Sequence, residues 1–353
     1  MKKTILAVAI ASLSSTAMAV ELYNNDGTTF AVGGHVSVNL NGSEQGDTGV
    51  GSNSPRINFT ATQDLGNGFT ADARGEWQLN YLNGGDNSFT TRLGYVGLTH
   101  EDFGRAVAGT QWAPYYDVAG VADMPIAFAN DFIYDNHGAF GTGRGENMIS
   151  YRNGVELGDA GALDFGLAWQ GAQSDDLSTI FPSNVPVNDT DDLKDRIQAT
   201  ISYSLMGAKL GYAYNSGDIK NVGFEETAKS HVVSAAYGSY GKGLYVAGVY
   251  ASNEFMNVSS NGLMAESDAY EFLAAYALPN SLNFSINYEM VEGKQFKAAT
   301  KETTREEMAL QVEYNFKPNF VGYTAYQFDL NDKPQNVKVE TNDMWVIGAR
   351  IYL

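Results

Sequence analysis

TQWAPYYDVAGVADMPIAFANDFIYDNHGAFGTGR, residues 110–144, has no sustained period of two or of 3.6. It carries acids at Asp117, Asp123, Asp131 and Asp135, and aromatics at Trp112, Tyr115, Tyr116, Phe128, Phe132, Tyr134 and Phe140. A structureless connection this long inside a compact domain is either functional or disordered. Disordered segments are poor in groups that can be buried, and this one is rich in them. It reads as an ordered loop, spanning approximately 111–145, folded into a cavity made by the chain around it. A cavity that admits a loop of this length is wide, which points to a barrel with an aqueous lumen.

The flanking chain supplies the wall. In 69–81 one face reads Phe69, Ala71, Ala73, Gly75, Trp77, Leu79, Tyr81, and the other Thr70, Asp72, Arg74, Glu76, Gln78, Asn80. Side chains alternate faces along a strand, so one side of this sheet is apolar and the other charged. Sixteen such segments stand between turn signals: 31–40, 55–65, 69–81, 91–100, 104–110, 146–153, 162–173, 195–204, 208–216, 229–238, 243–251, 268–277, 283–292, 307–315, 320–330 and 343–353. Short connections, such as Gly66-Asn67-Gly68 and Tyr240-Gly241-Lys242, alternate with longer polar loops near 41–54, 82–90, 111–145, 174–194, 217–228, 252–267, 293–306 and 331–342. Short turns on one rim and long loops on the other form the pattern of an outer-membrane barrel. The expected fold is all-β, a transmembrane 16-stranded antiparallel β-barrel with an inward-folded constriction loop. An open edge cannot face lipid, so the last strand must meet the first. Barrels of this size leave a channel rather than a filled core.

The ends and the composition agree with export. Residues 1–19 read as a signal peptide: Lys2 and Lys3, an apolar core over 5–13, and Ala17-Met18-Ala19 as the cleavage site. The apolar run falls far short of the roughly 20 residues of a membrane helix. The barrel domain is then 20–353. Of 22 basic residues, the loss of Lys2 and Lys3 leaves 20 against 41 acidic, a net charge near −21. So acidic a chain is a poor partner for nucleic acid. With no cysteine, disulfides, thiol nucleophiles and Cys-ligated metals are excluded. His35, His100, His137 and His231 have no metal-site spacing. Asn188-Asp189-Thr190-Asp191-Asp192 lacks the glycine and terminal glutamate of a calcium loop and reads as a solvated acidic loop. No cofactor is expected.

Alternation places a basic set in the lumen on the first strands: His35 with Ser37 and Asn39; Arg56 with Asn58 and Thr60; Arg74; and Arg92, opposed by Leu93 and Tyr95. Arg144 stands where the loop re-enters the wall. If the loop folds inward, Asp117, Asp123 and Asp131 lie on its side of the opening, and Asp123 and Asp131 can face the arginines. Opposed rows of charge set up a transverse field in a narrow passage, and charged rings confer ion selectivity.

These residues carry a resemblance. The mature chain resembles the general diffusion porins of Gram-negative outer membranes along nearly its whole length. The likeness rests on the third long loop with Asp123-Met124-Pro125 and Phe128, on Thr91-Arg92-Leu93, and on Tyr151-Arg152-Asn153 after the loop. It implies a cell outer-membrane location, a homotrimer with 82–90 latching onto a neighbour, and contact with lipid and lipopolysaccharide. It also implies passive diffusion of small hydrophilic solutes and ions through a constriction whose basic side includes Arg56, Arg92 and Arg144, with Asp123 on the loop. The family often has an acid where Ile126-Ala127 stand, a lysine at His35, and a terminal Phe at Leu353. The competing function is a substrate-specific channel for a sugar or oligosaccharide, lined by Tyr115, Tyr116 and Phe128; the same aromatics fit as anchors of the loop. An outer-membrane enzyme needs a nucleophile beside a positioned base, and no Ser/His/Asp grouping can be placed, so no catalytic residue is expected.

Overall fold

The computed structural model describes residues 19–82, 89–128, 132–173, 192–221, 224–259, 262–296, 300–331 and 341–353. The expected signal peptide except Ala19, the loop acid Asp131 and most of the acidic loop at 188–192 lie outside them.

Nineteen strands are described: β1 (Val20–Asn25), β2 (Thr28–Ser43), β3 (Gly49–Gly51), β4 (Arg56–Gly66), β5 (Phe69–Leu79), β6 (Phe89–His100), β7 (Gly104–Trp112), β8 (Arg144–Glu156), β9 (Ala162–Gln170), β10 (Asp192–Leu205), β11 (Ala208–Asn221), β12 (Phe224–Ser239), β13 (Lys242–Glu254), β14 (Val258–Ser259), β15 (Gly262–Ala277), β16 (Leu282–Gln295), β17 (Lys301–Lys317), β18 (Phe320–Asp329) and β19 (Met344–Tyr352). Leaving out the short β1, β3 and β14, sixteen antiparallel strands pair in succession. β19 pairs with β2 from Met344↔Ser43 to Tyr352↔His35, closing the barrel. The Leu353 amide donates to the Gly34 carbonyl and completes the seam. Closure removes every unpaired edge from the wall, as a lipid environment demands.

Period two fixes which side faces out. On β2, Val36, Val38 and Leu40 are exposed while His35, Ser37 and Asn39 are buried within the lumen. On β19, Ile347 and Ile351 are exposed on the outside. The same alternation leaves Leu210, Val233, Phe272 and Ile286 outward on later strands.

Three features depart from the sequence reading. The strands run further at their loop ends: β11 and β12 stay paired to Asn221↔Phe224, so the polar loop expected near 217–228 is instead a ladder. Apolar alternation stops where the lipid stops, but backbone pairing does not. A hairpin of β1 with β2 turns at Asp26 and Gly27, with φ of 50° and 76°; Asp-Gly is the dipeptide that favours such a turn. Finally, β6 bulges at Arg92: Glu76 pairs with Leu93 and Trp77 with Thr91, leaving Arg92 unmatched. A bulge sets two consecutive residues against one, and it shifts the phase. Leu93 is buried, and Tyr95 lines the lumen together with Arg92 rather than opposing it.

The outward face fixes one expectation. Ile347→Arg places a charge against lipid and costs about 2–4 kcal/mol at mid-membrane depth, whereas Thr70→Arg, on the exposed lumen side of β5 and facing the cavity, costs far less. Urea unfolding in lipid vesicles reads the difference; equal costs would place Ile347 away from lipid.

Candidate functional site

Residues 113–128 and 132–143 fold into the lumen. Pro at the first position starts helix α1 (Pro114–Ala119), where its missing N–H is no loss. A 3-10 turn (Gly120–Ala122) follows, and the return limb carries Phe132–Tyr134 and a short helix α2 (His137–Phe140). Gly141, at φ 63°, ends α2 and turns the chain back to the wall. A Cβ there would come within 2.6 Å of the Gln170 and Gln198 side chains, so only glycine fits both the backbone angle and the space.

Two kinds of contact hold the loop. The first is apolar: Tyr115, Val118, Ala119, Val121 and Ala122 are buried against Ala213, Val232, Ala247, Val249, Ala251, Ala269 and Leu273 on the inner faces of β11, β12, β13 and β15. Along these contacts both faces of the strands are apolar, as in a strand buried on two sides. The second is a series of wall amides bonded to loop backbone. Gln170 donates to the Gly138 carbonyl at 2.6 Å, Gln198 to Gly141 at 2.6 Å, Asn215 to Phe140 at 2.7 Å and Asn287 to Phe128 at 3.2 Å. Asn53 donates to Ile126, and Gln311 accepts from the Ala127 amide at 2.8 Å. Each such bond contributes about 0.5–1.5 kcal/mol net, and together they fix the loop's path. Arg196 adds a guanidinium 5.0 Å from the Phe140 ring centre. The Tyr115 hydroxyl meets Ser230 Oγ at 2.8 Å, and Tyr245 donates to the Val121 carbonyl at 2.6 Å.

The loop leaves a cavity of about 2220 Å³ reaching from the loop to the short-turn rim. His35, Arg56, Arg92 and Arg144 line it, with Asp117 and Asp123 from the loop. Arg74 is not among the lining residues; its Nη2 lies 2.9 Å from Glu76. Glu76 also meets Arg92 at 3.0 Å and Arg56 at 3.7 Å, so one buried carboxylate gathers three arginines. Ser54 accepts from both Arg56 and Arg92. Arg144 donates to His137 Nε2 at 2.8 Å and lies over the Trp112 ring.

The loop acids divide. Asp117 pairs with Arg152 at 2.6 Å and is tied to the wall on β8 instead of facing the arginine row. Asp123 accepts from Tyr116 at 2.6 Å and Tyr134 at 2.5 Å. Burial raises its carboxyl above the ordinary range, against the pull of those hydroxyls and of Arg56 and Arg92. Asp135 turns to Asn257. Of the aromatics, Tyr115 is buried as an anchor, while Tyr116 and Phe128 line the cavity. The remaining histidines are apart: His100 meets Phe69 edge-on and stacks with Phe103, and His231 bonds Tyr212.

Sequence reasoning passed over four groups: Arg350 of β19, which lines the cavity; Arg152, the partner of Asp117; Glu76 as the hub of the arginines; and the Asn and Gln series. Arg350 was within reach, since it lies in phase with the inward Val346 and Gly348.

A family model described as Gram-negative porin matches residues 6–334. Outer membrane porin F of Salmonella typhi is 27% identical over 382 residues, covering 99% of this chain and 98% of that protein. Among solved structures, a Salmonella typhi OmpF superposes with a TM-score of 0.78 at 22% identity, covering 95% of this chain and 100% of that one. OmpT of Vibrio cholerae, described as a trimer form, gives 0.66 at 18% identity, covering 93% and 100%. These structural likenesses speak for the fold.

The His137 contact sets a pH window. Burial, then the Arg144 guanidinium, lower its imidazole from 6.5 to about 4. Between those values the unfolded chain takes up a proton that the docked loop refuses, so docking is firmest above pH 6.5 and weakens as pH falls toward 4. The His137 ring resonance, assigned through His137→Gln, is expected to titrate near pH 4; a midpoint near 6.5 would show that the contact with Arg144 does not form.

Proposed function

The chain belongs to the Gram-negative porin family, and from that premise we propose that the arginine row and the docked loop form the constriction of its pore. As a Gram-negative porin it is an outer-membrane β-barrel, and it lets small hydrophilic solutes diffuse passively. The observation that carries the constriction reading is the loop lodged across the lumen, leaving a cavity bordered by Arg56, Arg92 and Arg144 on the wall and Asp123 on the loop. Fixed charges on both sides orient water across the opening. A polar solute replaces that water at small loss, and an apolar one does not. Arg74 supports the row from behind through Glu76, His35 lies beside the row along the cavity, and Asp117 fixes the loop through Arg152. Asp131 is assigned to the loop side by the sequence alone.

The working unit is proposed to be a homotrimer, as the Vibrio cholerae OmpT is described. Ala71, Ala73 and Gly75 give β5 a shallow outward face, and the Trp77 ring lies over Gly75, within 2.3 Å of where a Cβ would stand. The latch at 82–90 falls largely outside the described residues. The remaining outward face meets membrane lipid, with lipopolysaccharide at the long-loop end. A channel rather than an enzyme is the reading supported by the family.

Purified protein in planar bilayers is expected to insert in conductance steps of three, ohmic and unaltered by sugars, and liposomes holding it should swell in small sugars at rates falling smoothly with size. Saturable block by one sugar class would establish a specific channel instead. Folded protein without conductance would refute the pore.

A further inference from the structure

We infer that this pore selects for small anions, carboxylates and phosphates, and that Arg350 on the C-terminal strand is a determinant of the preference. The inference rests on the constriction proposed above.

The net charge of −19 suggests the reverse, but its location decides. Arg350 extends the basic row past Arg56 onto β19, across the seam where the barrel closes. Its Nη2 donates to the Asn53 carbonyl at 3.2 Å, and its guanidinium lies 5.9 Å from the Tyr352 ring centre. Among the described residues no carboxylate pairs with it, and none pairs with Arg144. An arginine held by a carbonyl and a ring face keeps its charge uncompensated and retains N–H donors suited to an oxyanion.

The acids near the opening are engaged. Asp123 takes two tyrosine hydroxyls. Glu313 of β17, which also lines the cavity, takes hydrogens from Tyr240 at 2.5 Å and Gln311 at 2.6 Å. Among the described residues, counting Glu76 with these two sets three carboxylates against the five guanidiniums of Arg56, Arg74, Arg92, Arg144 and Arg350, an excess of two positive charges, and Asp131 on the loop still leaves an excess of one. Acids elsewhere, such as the exposed Glu225 and Glu254, face bulk electrolyte that screens them over about 8 Å at physiological salt. The walled opening focuses the arginine field instead.

The test is the reversal potential of the purified full-length protein in planar bilayers under a potassium chloride gradient. Chloride should carry most of the current. Arg350→Gln should lower the anion-to-cation permeability ratio about twofold, the effect of one charge felt with opposite sign by anion and cation across roughly 8 Å of water and screened by salt over a similar length, and Arg350→Lys should keep the ratio. Ser37 pairs directly with Arg350, so Ser37→Asp should lower the ratio in the same way without altering the C-terminal strand, which covers a failure of Arg350→Gln to fold. Added inorganic phosphate should reduce the chloride current, less so in Arg350→Gln. An ohmic pore that prefers potassium would overturn the inference and leave the pore reading intact; a folded protein without conductance would defeat the pore reading itself. An unchanged ratio in both Arg350→Gln and Ser37→Asp would remove Arg350 from the account, and chloride current indifferent to phosphate would remove oxyanion recognition.

Discussion

The contact on which the rest depends is the apolar seat of the loop, with Tyr115, Val118, Ala119 and Val121 against the inner faces of β11, β12, β13 and β15. A barrel of sixteen strands has no core of its own, because its outer face belongs to lipid and its inner face to water. Here the loop gives it one. Where the loop lies, small inward residues such as Ala213, Ala247, Ala251 and Ala269 leave room for a second layer. Where it does not lie, the inward residues are charged or amide-bearing, and the lumen stays open.

That division produces function. The loop must be held along its length, since an untethered segment in water would move and the opening would have no fixed size. Gln170, Gln198, Asn215, Asn287 and Gln311 answer the loop backbone from five different strands. An amide can serve a carbonyl or an N–H without adding charge, which suits a tether that should not disturb the field. The charge is concentrated instead on the opposite wall, where β19, β2, β4, β6 and β8 bring their basic residues side by side. The bulge at Arg92 belongs to this arrangement, because strict alternation would have sent either Arg92 or Tyr95 into the lipid.

Much of this was legible in the sequence. Alternation in β2, β5 and β19 gave the faces, and the spacing of turns gave sixteen strands, because lipid and water impose opposite demands on successive residues. The loop was legible through its aromatics. What escaped was whatever breaks or outlasts that pattern. The bulge at Arg92 shifts phase with only Gly94, two residues on, to announce it. The ladder of β11 and β12 continues beyond the lipid, where nothing requires alternation. Asp117 carries the same charge as Asp123, and only the folded path of α1 assigns it to Arg152. The apolar run Tyr245-Val246-Ala247 was a signal that one strand is covered on both faces, and it marks the seat of the loop.

A disulfide between loop and wall tests this most directly, since the chain has no cysteine of its own. A Cβ built on Gly211 of β11 would lie 3.0 Å from Val118 Cγ1 of α1, so the pair Val118→Cys and Gly211→Cys sits close enough to bridge. The measurement is single-channel conductance of that double variant, oxidised and then reduced. A loop seated as described gives ready bridging and the same conductance in both states. Failure to bridge in folded protein, or a conductance that rises on reduction, would contradict a loop fixed against the wall.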